Sequence, residues 1–391
     1  QMEKVNLHIP LKIALYDANG NKQTLQYNGK LSNDVLNVTE KDQIFEFHNL
    51  YCRPIPALLC DFSAPVKLDY DYTTTQLLSL LKFSNNQFVR WDAAQTLLTQ
   101  ELRRNVANYQ QGERLEISPD ILIAFAHVLE NYEQDIELAT LILTFPKEIE
   151  FAESFKTIDP DGITAAREFM LVQIAEYLKN DLLRIYTHIR LDVYQVTQKD
   201  IALRAMRNVC LSYLAYSNLG NNVVQKHYNN ANNMTDTLAA LNMATKASLP
   251  CRDTLLADFE QKWQHDGLVM DKWFALQATR PDENVLEIVQ TLMEHPSFNF
   301  HNPNRLRSLV GNFINYNLKA FHHISGSGYR FLTDVLIRLN DSNPQVAARL
   351  IEPLIRFSRF DEQRQTLMKR ALERLSAVEE LSKDLFEKIE K

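Results

Sequence analysis

Apolar and polar positions alternate through residues 1–70, a pattern typical of short antiparallel strands. Residues 7–16 (LHIPLKIALY) are rich in β-branched and aromatic side chains, and DANGN at 17–21 predicts a tight turn. Further strands are predicted at QTLQYNG (23–29), SNDVLNVT (32–39), QIFEFHNL (43–50) and ALLCDFS (57–63). About five strands are fewer than the roughly seven of a self-sufficient sandwich. We therefore expect residues 1–70 to form a small antiparallel β-sandwich domain that is truncated on its N-terminal side.

Beyond residue 70 the apolar residues recur every three or four positions, as on one face of a helix. Ser118-Pro119 and Asp159-Pro160 have the composition of capped helix starts. Further helices are predicted at 197–216, 235–248, 251–265, 268–278 and 282–295. Since connectors are short and no strand intervenes, we predict that residues 71–391 form stacked helix pairs, an α-solenoid or superhelical bowl. We find no fixed-period repeat, so this prediction depends on the layout alone.

Residues 219–235 (LGNNVVQKHYNNANNMT) form the longest polar stretch of this helical part. Asparagine side chains hydrogen-bond to nearby backbone groups and favour turns, which predicts a connector here. The connector is either ordered by such bonds or mobile, and we favour the ordered form.

Residues 301–360 carry most of the candidate chemistry. Asn302-Pro303 and Asn343-Pro344 predict two helix starts, because an Asn can cap a helix whose first residue is Pro. A loop is predicted between them at 321–329. The polar residues of the second helix fall at i, i+4, i+7 and i+11; they are Gln345, Arg349, Glu352 and Arg356.

This polar stripe, together with Arg305 and Arg307 on the preceding helix, is a candidate lining for a cavity that accepts carboxylate or carbonyl groups. On charge and spacing alone, however, the favoured interpretation is that Arg305, Arg307, Arg349 and Arg356 form structural ion pairs on helix surfaces.

Composition limits the classes of partner. The net charge of −7 and pI near 5.9 argue against sequence-independent nucleic-acid binding, which needs a basic face. The sequence has no apolar run of eighteen residues and no signal-peptide core, so we expect no membrane partner and a cytoplasmic location. Gln1 precedes Met2, which suggests a cut or tagged sequence.

The sequence offers no catalytic or metal-binding set of its own. It contains no HExxH, P-loop, GxSxG or GxGxxG motif. The segment SGSG at 325–328 lacks the Lys-Ser/Thr of a phosphate loop, which favours a flexible loop, and we expect the neighbouring His322 and His323 to be hydrogen-bonded or solvent-facing. His48, Cys52 and Cys60 are spaced like ligands but include no CxxC pair.

The four cysteines, Cys52, Cys60, Cys210 and Cys251, are too few and too scattered for a disulfide framework. We predict buried, reduced thiols.

Three segments together resemble a known family. They are SNNQFVRWDAAQTLL at 84–98, NNANNMTDTLAALNMA at 229–244, and PNRLRSLVGNF with GSGYRFLTDVLIRLNDSNPQVAARLIEPLIRF within 303–357. They are similar to the C-terminal region of bacterial aminopeptidase N, the alanyl-type zinc metallo-aminopeptidases of the gluzincin class. The strand-rich segment, with LHIPLKIALYDANG and PALLCDFSAPVKLDYDY, resembles the small β-domain that precedes the helical domain there. The resemblance covers essentially the whole chain, with the blocks in the same order.

The resemblance implies a parent enzyme that removes N-terminal residues from peptides. Its zinc, HExxH helix and GxMEN strand belong to a thermolysin-like catalytic domain upstream, so no zinc ligand or catalytic residue is assigned here and the chain alone is expected to be inactive. The helical domain would cap the active-site chamber. Arg307, Gln345 and Arg349 match the positions expected to bind the peptide beyond the scissile bond. The alternative hypothesis is a free-standing α-solenoid scaffold that binds proteins without catalysis.

Overall fold

The computed structural model describes residues 6–390 except 28–29 and 32–33; Gln1 and Met2, and parts of the strands predicted at 23–29 and 32–39, lie outside the described residues. The described chain is mostly helical with a small antiparallel sheet near its N-terminus, which confirms the predicted fold class. It forms two compact units, Gln1–Arg103 with Ile117–Phe145 and Arg104–Glu116 with Pro146–Lys391. The domain boundary near residue 70 stays a prediction.

The sheet is built around β1 (Ile9–Tyr16), which lies between β4 (Val35–Val38) and β5 (Ile55–Leu58) and pairs with both in antiparallel register. A separate two-residue ladder joins β2 (Gln26–Tyr27) to β3 (Lys30–Leu31). The core of this part consists of Ile13, Leu15, Leu25 and Leu36. Ile13 and Leu15 alternate along β1 and face this core, while Ala14 and Tyr16 on the opposite face are buried as well.

Residues 43–50 were predicted as a strand, and this prediction is wrong for the described structure. The Gln43 side chain instead accepts a hydrogen bond from Thr39 N (2.8 Å) and donates to Asn37 O (3.0 Å). Phe45 and Phe47 still pack against the core of the sheet. The alternation of apolar residues at 43–50 thus indicates which side chains are buried, but it does not indicate a strand. Hydrogen bonds from the Gln43 side chain to the backbone take the place of regular strand pairing.

The predicted strand at 57–63 ends at Leu58. Leu59, Asp61 and Phe62 have φ values of 59°, 56° and 51°, a left-handed conformation that is costly for residues with a side chain. Asp61 accepts a hydrogen bond from Lys12 Nζ (2.7 Å), which holds this turn against β1.

The helices follow in chain order as α1 (Thr74–Phe83), α2 (Gln87–Gln111), α3 (Pro119–Glu130), α4 (Ile136–Leu143), α5 (Glu148–Glu153), α6 (Pro160–His188), α7 (Gln198–Leu214), α8 (Gly220–Asn230), α9 (Met234–Lys246), α10 (Arg252–Trp263), α11 (Gly267–Ala278), α12 (Val285–Leu292), α13 (Pro303–Leu306), α14 (Asn312–Tyr316), α15 (Leu318–Phe321), α16 (Ser327–Ser342), α17 (Pro344–Leu350), α18 (Glu352–Ile355), α19 (Glu362–Ser376) and α20 (Lys383–Ile389). Helices that follow one another pack together in the second unit, as α6 does on α7 and α8 on α9.

The predicted connector at 219–235 is wrong, because α8 and α9 occupy almost all of it. Val224, His227 and Tyr228 fall at i, i+3 and i+4 and are buried together. Asn233 caps α9 by accepting a hydrogen bond from Asp236 N at 3.0 Å. The asparagines therefore do not form a turn here. The buried face of α8 contains a His and a Tyr where aliphatic residues are usual, so its helical pattern is less evident in the sequence.

One contact within the second unit joins residues far apart in sequence. Arg364 at the start of α19 is 6% exposed and pairs with Asp361 (2.8 Å) and with Asp161 (2.6 Å) at the start of α6. Nearby, Ile158 N donates to Arg359 O at 2.7 Å. Stacking of sequence neighbours is therefore supplemented by a partly buried ionic contact between α6 and α19, which are far apart in sequence.

Candidate functional site

The two asparagine-proline starts are confirmed by the structure. The Asn302 side chain accepts hydrogen bonds from Asn304 N and Arg305 N, and Asn343 accepts one from Val346 N at 3.3 Å. The helix that begins at Pro303 changes to a π turn at Arg307–Gly311 before continuing as α14. Such turns change which residues face inward, because each π turn adds a residue to the helical period.

Arg307 lies at the first position of this π turn and is exposed. Its Nε donates to Pro303 O at 3.3 Å, and its Nη2 donates to Asn304 Oδ1. These bonds hold the guanidinium against its own helix, and they leave other N–H groups of the fork facing outward.

On α17 the burial pattern separates two faces. Ala347 and Leu350 are buried, whereas Gln345 and Arg349, one turn apart, are exposed. Among the described residues, neither of the two exposed side chains has a hydrogen bond or an ion pair. A guanidinium presents five N–H donors and prefers carboxylate or carbonyl oxygens, so Arg349 is available to a ligand.

Gln345 and Arg349 share a shallow cavity of about 340 Å³. We call it the α17–α20 depression, and its lining residues are Gln345, Ala348, Arg349, Glu352, Asp384 and Lys388. Lys388 of α20 pairs with Glu352 across it. The structure therefore brings together three members of the predicted stripe. Arg307 and Arg356 are not among the lining residues.

Two arginines of the candidate lining have structural partners instead. Arg305 is 6% exposed; its Nε donates to Asp271 Oδ1 at 2.6 Å, and its other nitrogens donate to Gly267 O (2.8 Å) and Ser297 O. Arg356 pairs with Glu153 on α5. For Arg305 the ion-pair interpretation is correct and the cavity-lining one is wrong. The ion-pair interpretation also holds for Arg356.

Asp384 and Lys388 also line the depression and are not among the residues predicted from the sequence. Their i, i+4 spacing on α20 was the available signal. Only the packing of α20 against α17 shows that this face lines a depression.

The histidines of the α15–α16 connection differ from each other. His322 is 5% exposed, shares a hydrogen bond with the Tyr329 hydroxyl through Nδ1 (2.9 Å), and stacks on Phe360 at 4.1 Å. Burial lowers the pKa of His322 to about 3, with a smaller contribution from the positive charge of Arg364. His323 is exposed and shares a hydrogen bond with Ser325 Oγ at 2.8 Å.

The predicted loop at 321–329 is shorter than expected, since α16 already begins at Ser327. Gly328 is required there, because a Cβ would lie 2.2 Å from the backbone oxygen of Phe321.

Within the described residues, no group of three or more His, Cys, Asp and Glu side chains is placed to hold a metal ion.

Cys60, Cys210 and Cys251 are buried free thiols as predicted, whereas Cys52 is exposed. No described helix combines the length and the apolar character that crossing a membrane requires.

The sequence matches two family profiles. Residues 1–71 match a domain of unknown function described as DUF3458 with an Ig-like fold, and residues 74–391 match its C-terminal companion, described as ARM repeats.

Known proteins are similar along the whole chain. It is 82% identical over 391 residues to aminopeptidase N of Haemophilus influenzae and 50% identical over 393 residues to aminopeptidase N of Escherichia coli. Both alignments cover 100% of this chain and 45% of the relative. A crystal structure of Legionella pneumophila aminopeptidase A in complex with aspartic acid superposes with a TM-score of 0.86 at 28% identity, over 98% of this chain and 45% of that one.

The chain thus spans less than half the length of the curated relatives that it matches. Similarity to aminopeptidases over its full extent supports the peptidase hypothesis rather than the free-standing scaffold. The chain belongs to the DUF3458 family, with its Ig-like and ARM-repeat parts in that order, and corresponds to the C-terminal region of the aminopeptidase N family.

Proposed function

We propose that this chain is the C-terminal part of a zinc-dependent aminopeptidase that hydrolyses N-terminal residues from peptides. In this proposal it caps the active-site chamber and positions the peptide beyond the scissile bond. The observation that carries the proposal is the pair Gln345 and Arg349, one turn apart and without partners among the described residues, in one depression of about 340 Å³.

The chemistry of these side chains suits a peptide. Arg349 can donate two parallel hydrogen bonds to a peptide carboxylate or carbonyl, and the Gln345 amide can both donate and accept. Arg307 adds donors from a different helix. Such contacts hold the substrate in register with the reacting groups and do not themselves break a bond.

The described residues of this chain do not fit a zinc site, because no three suitable side chains converge. The proposal therefore assigns the metal and the general base to a thermolysin-like catalytic domain upstream in the same polypeptide, which would be the main partner of this chain. Zinc bound there would supply Lewis-acid activation of water and of the scissile carbonyl. The division into residues 1–70 and 71–391 and a cytoplasmic location belong to the same proposal; the buried free thiols support the latter.

Hydrolysis of an aminoacyl p-nitroanilide, measured together with metal content, tests the proposal. The full-length parent polypeptide should turn over the substrate in a metal-dependent manner, and the 391-residue chain should not. Metal-dependent turnover by the purified chain, or no turnover by the parent, would refute it.

A further inference from the structure

The α17–α20 depression contains a carboxylate that the proposed peptide contacts do not use. Asp384 lies in the first turn of α20, is exposed, and has no hydrogen bond or ion pair among the described residues. It lines the same cavity as Arg349. An unpaired cation and an unpaired anion therefore share one concave surface.

The other two charges of the depression neutralise each other. Lys388 and Glu352 form an ion pair with side chains 37% and 47% exposed. A ligand would meet this pair as a local dipole with no net charge, so charge recognition falls mainly to Arg349 and Asp384.

We propose that Asp384 selects peptides that end in a basic residue. The terminal carboxylate binds Arg349, and the ammonium or guanidinium of the same terminal Lys or Arg side chain binds Asp384. The proposal rests on the proposed function and deepens it, because it names the class of peptide that this depression accepts.

Two features of the site support this ligand class. A cavity of about 340 Å³ is roomy enough for a lysine-sized side chain with its carboxylate. Its charges are also complementary to a residue that carries a negative group at one end and a positive group at the other. A terminal acidic residue would place its side-chain carboxylate beside Asp384, and like charges at short range are unfavourable.

The test compares two tripeptides, Ala-Ala-Lys and Ala-Ala-norleucine, as substrates of the full-length parent enzyme. Lysine and norleucine have similar stems and differ in the terminal charge. The unaltered enzyme should show a higher kcat/KM for the lysine peptide. Asp384→Asn should lower the ratio of the two kcat/KM values about two- to fivefold, the range expected for one partly exposed ion pair.

Glu387→Gln is the matched control, since Glu387 is exposed on the same helix but does not line the depression. Glu387→Gln should leave both this ratio and the hydrolysis of an alanyl anilide unchanged. Asp384→Lys should shift the preference toward a peptide that ends in Glu.

The outcomes separate the two proposals. An unchanged ratio in Asp384→Asn, or an equal fall in Glu387→Gln, overturns the role of Asp384 while leaving the peptidase proposal intact. Absence of anilide hydrolysis by the unaltered parent overturns the peptidase proposal itself.

Discussion

Replacing Arg349 by alanine separates peptide positioning from catalysis. The side chain is exposed and has no partner among the described residues, so its removal breaks no internal contact there and should change stability by less than about 0.5 kcal/mol. What is lost is a charge-assisted hydrogen bond to the peptide, for which about 1.5–3 kcal/mol is typical. Because the depression is open to water, we expect about 1–2 kcal/mol, which corresponds to about a five- to thirtyfold fall in kcat/KM.

The assay compares a tripeptide with an aminoacyl anilide in the full-length enzyme. Only the tripeptide has residues beyond the scissile bond, so Arg349→Ala should raise its KM and leave the anilide kinetics unchanged. Arg370→Ala is a suitable control, since Arg370 is an exposed arginine of α19 that does not line the depression. An equal loss for both substrates would refute a positioning role for Arg349.

Three further predictions concern stability and are checked by urea unfolding. Arg305→Ala leaves Asp271 without its buried partner and should lower the free energy of unfolding by about 3–5 kcal/mol; a loss below about 1 kcal/mol would contradict this account. Gly328→Ala places a Cβ against the backbone oxygen of Phe321 and should cost about 1–3 kcal/mol, so a neutral result would count against that close approach. His322 has a pKa of about 3 in the folded state and near 6.5 in the unfolded state. Its contribution to the free energy of unfolding is therefore complete above pH 6.5 and is lost as the pH falls from 6.5 toward 3. The free energy of unfolding then falls by up to about 1.4 kcal/mol per pH unit. His322→Asn should reduce the slope of the unfolding free energy against pH by this amount, and an unchanged slope would refute the assignment of this pH dependence to His322.

Local signals predicted the parts of the structure that depend on neighbouring residues. The starts of α13 and α17 follow from Asn-Pro pairs, in which the cap and the fixed φ of proline act within a single turn. The stripe on α17 follows from helical spacing, which is also local. The connector predicted at 219–235 is wrong although a local signal was present. Val224, His227 and Tyr228 have helical spacing and are buried, and this pattern outweighs the turn preference of the asparagines.

The remaining features depend on tertiary contacts that spacing cannot supply. Arg305 and Arg307 are two positions apart, and their charge and spacing alone do not distinguish them; only the family resemblance selected Arg307. The partner of Arg305, Asp271, is 34 residues away in sequence, and the π turn that begins at Arg307 has no clear sequence signal. Asp384 joins the depression only because α20 packs on α17. Each of these assignments required the packing of helices from different parts of the chain.

The buried and exposed arginines of α13 and its π turn are nevertheless physically connected. Arg305 fixes α13 to α11 through Asp271 and Gly267, and the π turn starts two residues later. The orientation of this turn determines where the Arg307 side chain emerges. When the backbone that carries an exposed guanidinium is held rigidly, less conformational entropy is lost on ligand binding. A residue that does not contact the ligand can increase affinity in this way. In the proposed function, Arg305 therefore acts as a positioning residue for Arg307, whereas Arg349 obtains its orientation from the buried face of its own helix, through Ala347 and Leu350.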